Sequence, residues 1–110
     1  IIDRLFALNA TRAAEERAAT ANVVARRCAE HLRGRFGVTR VILFGSLARG
    51  EFHSTSDIDL AVEGLPPDQL FRAGADLAKI AGEIEVGLVP LEQASPGLRA
   101  EIRDEGVELP

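Results

Sequence analysis

The residues best suited to chemistry lie between positions 45 and 59. The pair Gly45-Ser46 is followed, after ten intervening residues, by Asp57-Ile58-Asp59. Side chains alternate across a strand, so the two aspartates project from one face with Cα atoms about 6.6 Å apart. Carboxylates this close repel by about 1 kcal/mol in water at 4 Å, and by more where the dielectric constant is lower. A magnesium-type cation offsets that repulsion and leaves positions open for substrate phosphates.

The Gly45-Ser46 pair is suited to bind the phosphates that would accompany such a cation. Glycine lets the backbone approach a ligand closely, and a serine that opens a helix offers its hydroxyl and backbone N–H groups to an anion. Arg49 follows one turn later and is either a phosphate contact or a solvated surface arginine. A phosphate held here, beside a metal held by Asp57 and Asp59, predicts a site for a nucleoside triphosphate.

A third carboxylate is expected from a neighbouring strand. In Glu83-Ile84-Glu85-Val86 the two glutamates fall on one face and the two apolar residues on the other. Glu85 lies deeper in the apolar run, whereas Glu83 lies near the start of the strand. We therefore expect Glu85 to face the metal.

The helices and strands that must position these residues are predicted from the spacing of the apolar residues and from the residues that end helices and strands. The first helix is either continuous or divided into two collinear helices near Asn9–Thr11. The order α, β, β, α, β, α predicts an α/β (α+β) fold, a small mixed sheet flanked by helices with a long N-terminal helix. The predicted helices are 5–34, 68–81 and 95–106, and the predicted strands are 38–44, 57–62 and 83–89.

Composition restricts the class of protein. With 110 residues, 46% hydrophobic and 27% charged, the chain fits one compact domain. The single cysteine, Cys28, excludes an internal disulfide framework and a cysteine-rich zinc module. No apolar run reaches the length of a membrane span, and we expect a cytoplasmic protein. Arginine dominates the first 40 residues and acidic side chains dominate the rest, which argues against direct nucleic-acid binding at the acidic surface.

The chain resembles proteins with the nucleotidyltransferase fold of the DNA polymerase β superfamily. The resemblance lies in the motif Gly-Ser, ten intervening residues and Asp-x-Asp, followed by the acidic residue Glu85. More narrowly, the chain resembles the minimal nucleotidyltransferases (MNT proteins), the antitoxins of HEPN–MNT toxin–antitoxin pairs. Residues 38–106 carry the resemblance, including LFGSLARGEFHSTSDIDLAV and the closing SPGLRAEIRDEGVEL. The expected organisation is a single domain over 1–110, with a helical segment 1–34 and a catalytic core 38–106.

The resemblance implies a magnesium-dependent enzyme that moves AMP from ATP onto a tyrosine of a HEPN ribonuclease partner. Two magnesium ions would be held by Asp57, Asp59 and Glu85, with Gly45 and Ser46 gripping the phosphates. Glu85 departs from the family pattern, in which this carboxylate is usually an aspartate.

Two other functions remain open. The same fold could neutralise a HEPN partner by binding alone, or it could transfer a nucleotide to a small hydroxylated molecule. The intact aspartate pair favours catalysis over binding alone. We expect no extra domain of the kind with which small-molecule transferases usually hold their acceptor. The sequence leaves the oligomeric state, homo- or hetero-oligomeric, undecided.

Overall fold

The computed structural model describes the backbone of residues 2–110 and the side chains of residues 12–110. Ile1 lies outside the described residues. Four helices and four strands form within this part of the chain, with short 3-10 turns at 67–69 and 91–93. The elements are α1 (Ile2–Phe36), β1 (Arg40–Phe44), α2 (Gly45–Ala48), β2 (Ile58–Glu63), α3 (Leu70–Ala81), β3 (Val86–Pro90), α4 (Pro96–Glu105) and β4 (Val107–Leu109).

Helix α1 is continuous, so the alternative of two collinear helices is wrong, and it ends two residues beyond the predicted Gly34. Its run of alanine, arginine and glutamate favours a helix. Its buried face is made mostly of small residues, which let the helix lie close to the sheet: Ala21, Ala25, Cys28, Ala29 and Leu32. Neither α1 nor any other described helix is long and apolar enough to cross a membrane.

The four strands form one sheet in the order β3-β2-β1-β4. Strand β1 pairs antiparallel with both β2 and β4, whereas β2 and β3 are parallel. Alternation gives the sheet two apolar faces. Residues such as Val41 and Leu60 pack in the larger cluster with α1 and α3. Ile42 and Ala61 face the other way, against Ile102 of α4.

The predicted mixed α/β (α+β) architecture is confirmed, with differences at the strand ends. Strand β3 begins at Val86, three residues later than predicted, because its pairing with β2 starts at Ile58. Glu83 and Glu85 therefore precede the strand, and Asp57 precedes β2 in the same way. Strand β4 was not predicted, because its three residues are too few to show a period.

Candidate active site

The carboxylate of Asp59 packs against the backbone of Gly45. Strand β1 ends at Phe44, which pairs with Asp59 on β2, and α2 begins at the next residue. Gly45 has a φ of +76°, and a Cβ added to it would overlap Asp59 Oδ2. Position 45 thus requires glycine both for its backbone conformation and for space. The close approach expected at this glycine is made by a side chain of the protein itself.

The two aspartates stand in different surroundings. Asp57 is exposed just before β2, whereas Asp59 is half-buried within the strand. The pKa of Asp59 is raised, first by burial and then by the negative charges of Asp57 and Glu101, and the positive charge of Arg49 opposes this shift. The ionised form of Asp59 is therefore disfavoured in the absence of a cation. A positive charge placed at the pair would relieve both the burial cost and the repulsion.

Ser46 follows Gly45 in the four-residue helix α2 and is half-buried. Its carbonyl accepts a hydrogen bond from the backbone N–H of Glu51 at 2.8 Å, which closes the turn after the helix. Within the described part of the chain, Phe44 gives the start of α2 no side-chain cap. The first N–H groups of a helix have no partner within it, and the capping residue supplies none to α2.

Arg49 ends α2 and links it to α4. Its Nε donates to Glu51 Oε2 at 3.1 Å and its Nη1 donates to Glu105 Oε2 at 3.2 Å. Glu101 Oε1 lies 3.9 Å from the same Nη1. The guanidinium is therefore held among glutamates near the aspartate pair. Its contact with a phosphate stays a prediction.

Strand β3 brings Gly87, rather than Glu85, beside Asp59. The parallel register pairs Asp59 with Gly87, and a Cβ added to Gly87 would lie 3.2 Å from Asp59 Oδ1. Glu85 is exposed one residue before the strand, where its carbonyl accepts a hydrogen bond from Ile58 N at 2.9 Å. Glu85 consequently lies at the level of Asp57, at the outer end of the β2–β3 pair.

The structure does not gather the three predicted carboxylates into one cluster within residues 12–110. Among residues 12–110, no three His, Cys, Asp or Glu side chains are grouped so that they could hold one ion. The structure thus does not bring Glu85 together with Asp57 and Asp59 in such a group, and its role as a third ligand stays a prediction. The aspartate pair, with hard oxygen donors and a disfavoured negative charge on Asp59, still fits one magnesium-type cation that takes further ligands from water and phosphate.

A cavity of about 880 Å³ opens beside Asp57 and Glu85. Its walls come from the N-terminal half of α1, the loop 52–57 and the turn 81–85. The loop is held by a hydrogen bond from His53 N to Ser56 Oγ at 3.0 Å. The sequence had carried no sign that α1 reaches this region, since the segment has no motif. The residues that α1 contributes are Ala13, Glu16, Arg17 and Thr20.

Residues 26–109 match the family described as polymerase beta, nucleotidyltransferase. The chain belongs to this nucleotidyltransferase family. The predicted membership of the DNA polymerase β superfamily is thereby confirmed, and so is the prediction of a nucleotidyltransferase. Residues 2–25, more than half of α1, precede the matched region.

Several relatives of this nucleotidyltransferase are informative. A protein of Methanocaldococcus jannaschii named "putative protein adenylyltransferase" is 37% identical over 76 residues, which are 66% of this chain and 81% of the relative. A chain in the crystal structure of a toxin–antitoxin with AMP-PNP superposes with a TM-score of 0.65 and 28% identity, covering 76% of this chain and 70% of the other. A chain in the complex of tri-AMPylated Shewanella oneidensis HEPN toxin with MNT antitoxin gives 0.62 and 25% identity, covering 80% and 70%.

In this nucleotidyltransferase, Gly87 faces the side of the sheet opposite α1. Val86 and Leu88 pack against the larger core cluster, so Gly87 between them must face the opposite side of the sheet. That side also carries Asp59. By alternation, Glu85 would fall on the same face as Gly87, but it lies two residues earlier, before the strand begins.

Proposed function

We propose that this nucleotidyltransferase transfers AMP from ATP to a tyrosine hydroxyl of a HEPN-type toxin and thereby acts as an antitoxin. Three relatives support the proposal: one is named as a protein adenylyltransferase, one structure contains AMP-PNP, and one contains an AMPylated HEPN toxin with its MNT antitoxin. The chain is similar to each of them over at least two thirds of the other's length.

The observation that carries the proposal is the contact between Asp59 and Gly45. It places a carboxylate with a raised pKa directly against the uncapped start of α2. The Asp57–Asp59 pair is suited to a divalent cation, and the N–H groups of Gly45 and Ser46 are suited to the phosphates. A bound magnesium-type ion would neutralise charge on the triphosphate. The second ion that the family resemblance implied stays a prediction.

In the proposed reaction the acceptor hydroxyl oxygen forms a bond to the α-phosphorus of ATP. The bond from the α-phosphorus to the bridging oxygen breaks, and pyrophosphate leaves with that oxygen. Glu85, exposed in the cavity beside Asp57, takes the hydroxyl proton. The cavity beside these residues receives the acceptor side chain. Most of the catalytic effect is positioning and charge neutralisation.

Neutralisation of the toxin by binding alone is the second candidate. It is favoured by one observation, the lack of a three-carboxylate group among residues 12–110. In that case the chain would cover the active surface of its partner without changing its mass. The two candidates differ in whether the partner gains AMP.

The experiment is to incubate the chain with magnesium, ATP and the HEPN-type protein encoded beside it, and to measure the intact mass of that protein. A gain of one or more AMP units supports transfer. Asp57→Asn should abolish the gain, because it removes one of two cation-binding carboxylates. Asp68→Asn, an exposed substitution on the turn before α3, is the matched control and should leave the gain unchanged.

An unmodified partner that nonetheless forms a stable complex would select neutralisation by binding. A partner that is AMPylated equally by the Asp57→Asn variant would contradict the assigned role of the aspartate pair.

A further inference from the structure

The position on β3 that faces the aspartate pair is residue 87. The β2–β3 register pairs Asp59 with Gly87, and the flanking residues Val86 and Leu88 pack on the opposite, α1-covered side of the sheet. A side chain on residue 87 would therefore begin next to the Asp59 carboxylate, at 3.2 Å from Oδ1. No other residue of β3 stands beside Asp59 in the ladder.

We propose that Gly87 leaves this position without a carboxylate, so that the chain binds a single divalent cation through Asp57 and Asp59 alone. The inference rests on the proposed function only in assigning the aspartate pair to a cation. It departs from the expected three-carboxylate site, and it assigns Glu85 to the acceptor cavity rather than to the metal.

Two observations agree with this assignment. No three acidic, histidine or cysteine side chains are grouped for a metal among residues 12–110. Glu85 is exposed and lines the cavity together with Asp57, whereas Asp59 does not line it. A cation held by only two carboxylates takes its remaining ligands from water and from substrate phosphate, as magnesium commonly does. Binding of the free metal is therefore weak, and the nucleotide completes the coordination.

Position 87 can accept a carboxylate. Gly87 is absent from the glycines with positive φ, so its backbone is open to other residues. Asp59 Oδ1 is the one heavy atom within 4 Å of an added Cβ. That atom belongs to a side chain that a shared cation would draw toward the new carboxylate. The substitution Gly87→Asp thus tests the position directly.

The test is a calorimetric titration of the full chain with Mn²⁺ alone, without ATP or any partner. Gly87→Asp should bind Mn²⁺ at least about tenfold more tightly than the unmodified chain, since affinity rises with the number of charged ligands. Gly87→Asn, which has the same shape without the charge, should show no such gain. Glu85→Gln should bind Mn²⁺ as the unmodified chain does, and Asp57→Asn should bind it more weakly.

The inference is overturned if Gly87→Asp binds Mn²⁺ no better than Gly87→Asn, or if Glu85→Gln loses affinity as Asp57→Asn does. Should Gly87→Asp fail to fold, the exposed Glu85→Gln variant decides alone: retained affinity supports the inference and lost affinity overturns it. Because no acceptor or ATP is present, these results are independent of AMP transfer. A chain that AMPylates its partner but shows no gain in Gly87→Asp would sink this inference and leave the proposed function standing.

Discussion

The Oδ2 atom of Asp59 occupies the space that a Cβ atom of residue 45 would need, so Asp59 packs directly against Gly45. Strand pairing fixes this relationship, because Phe44 is the ladder partner of Asp59 and Gly45 follows it. The turn proposed to bind phosphate and the carboxylate proposed to bind a cation are therefore positioned by one pair of hydrogen-bonded strands.

Gly45→Ala should lower the free energy of unfolding by roughly 1–3 kcal/mol, since alanine at a φ of +76° is strained and its Cβ collides with Asp59. The measurement is denaturant unfolding. Gly34→Ala is the matched control: it lies in α1, has open space around it, and should raise stability by up to about 1 kcal/mol. Equal stability of Gly45→Ala and the unmodified chain would show that the close approach does not exist.

Asp59→Asn should raise the melting temperature at neutral pH in the absence of divalent cations. The pKa of Asp59 is raised mainly by burial, so the folded chain binds this proton more tightly than the unfolded chain. Ionised Asp59 therefore costs stability, and the cost disappears as the pH falls below the usual range of an aspartic acid. Thermal unfolding from neutral to acid pH measures the difference, which should shrink on acidification.

Added Mg²⁺ provides the second arm of that experiment. It should raise the melting temperature of the unmodified chain more than that of Asp59→Asn, because it relieves the cost of the ionised carboxylate. A variant that is less stable than the unmodified chain at neutral pH without cations would contradict the electrostatic account.

Arg49→Ala should weaken binding of an ATP analogue by about tenfold, the effect of losing one charge-assisted hydrogen bond to a phosphate. Its ion pairs with Glu51 and Glu105 lie at the surface, so the melting temperature should change little. Arg103→Ala is the control, because Arg103 pairs with its neighbour Asp104 on the exposed side of α4. Unchanged affinity in Arg49→Ala would assign this arginine to the α2–α4 link alone.

Asp76→Asn should lower the melting temperature at neutral pH. Asp76 on α3 binds His31 Nε2 at 2.8 Å and Arg35 Nε at 3.2 Å, both on α1. The hydrogen bond from His31, followed by the charge of Arg35, lowers the pKa of Asp76. Stability from this carboxylate is thus present above its unfolded pKa and is lost as the pH falls through the lower folded value.

The variant and the unmodified chain should therefore converge in strong acid, as followed by thermal unfolding. Asp104→Asn, which removes an exposed carboxylate paired with its neighbour Arg103 on α4, is the comparison and should change little. A constant difference between Asp76→Asn and the unmodified chain down to strong acid would rule out the ion-pair explanation.

The local part of the site could be predicted from sequence, because Gly45, Ser46 and Asp59 belong to one β1–α2–β2 unit whose spacing is fixed along the chain. The register of the third strand, β3, could not be predicted from the sequence. Its register depends on pairing across the whole of α3, and alternation in EIEVGLV fits several starting points. Gly87 has no side chain to mark it, so Glu85 attracted the assignment by charge.

The contribution of α1 to the cavity could not be predicted from the sequence either. Its residues carry no motif, and only its packing across the sheet shows that Glu16 and Arg17 wall the cavity next to Asp57. The short strand β4 became visible only through its pairing with β1.

The earlier and later turns of helix α1 have different surroundings. Its later turns, with Ala25, Cys28 and Leu32 buried, help to hold the domain together. Its earlier turns precede the residues shared with the family and border the space beside the aspartates. Under the proposed function, substitutions in the earlier turns would change which acceptor fits the cavity, while the buried later turns would keep the fold intact.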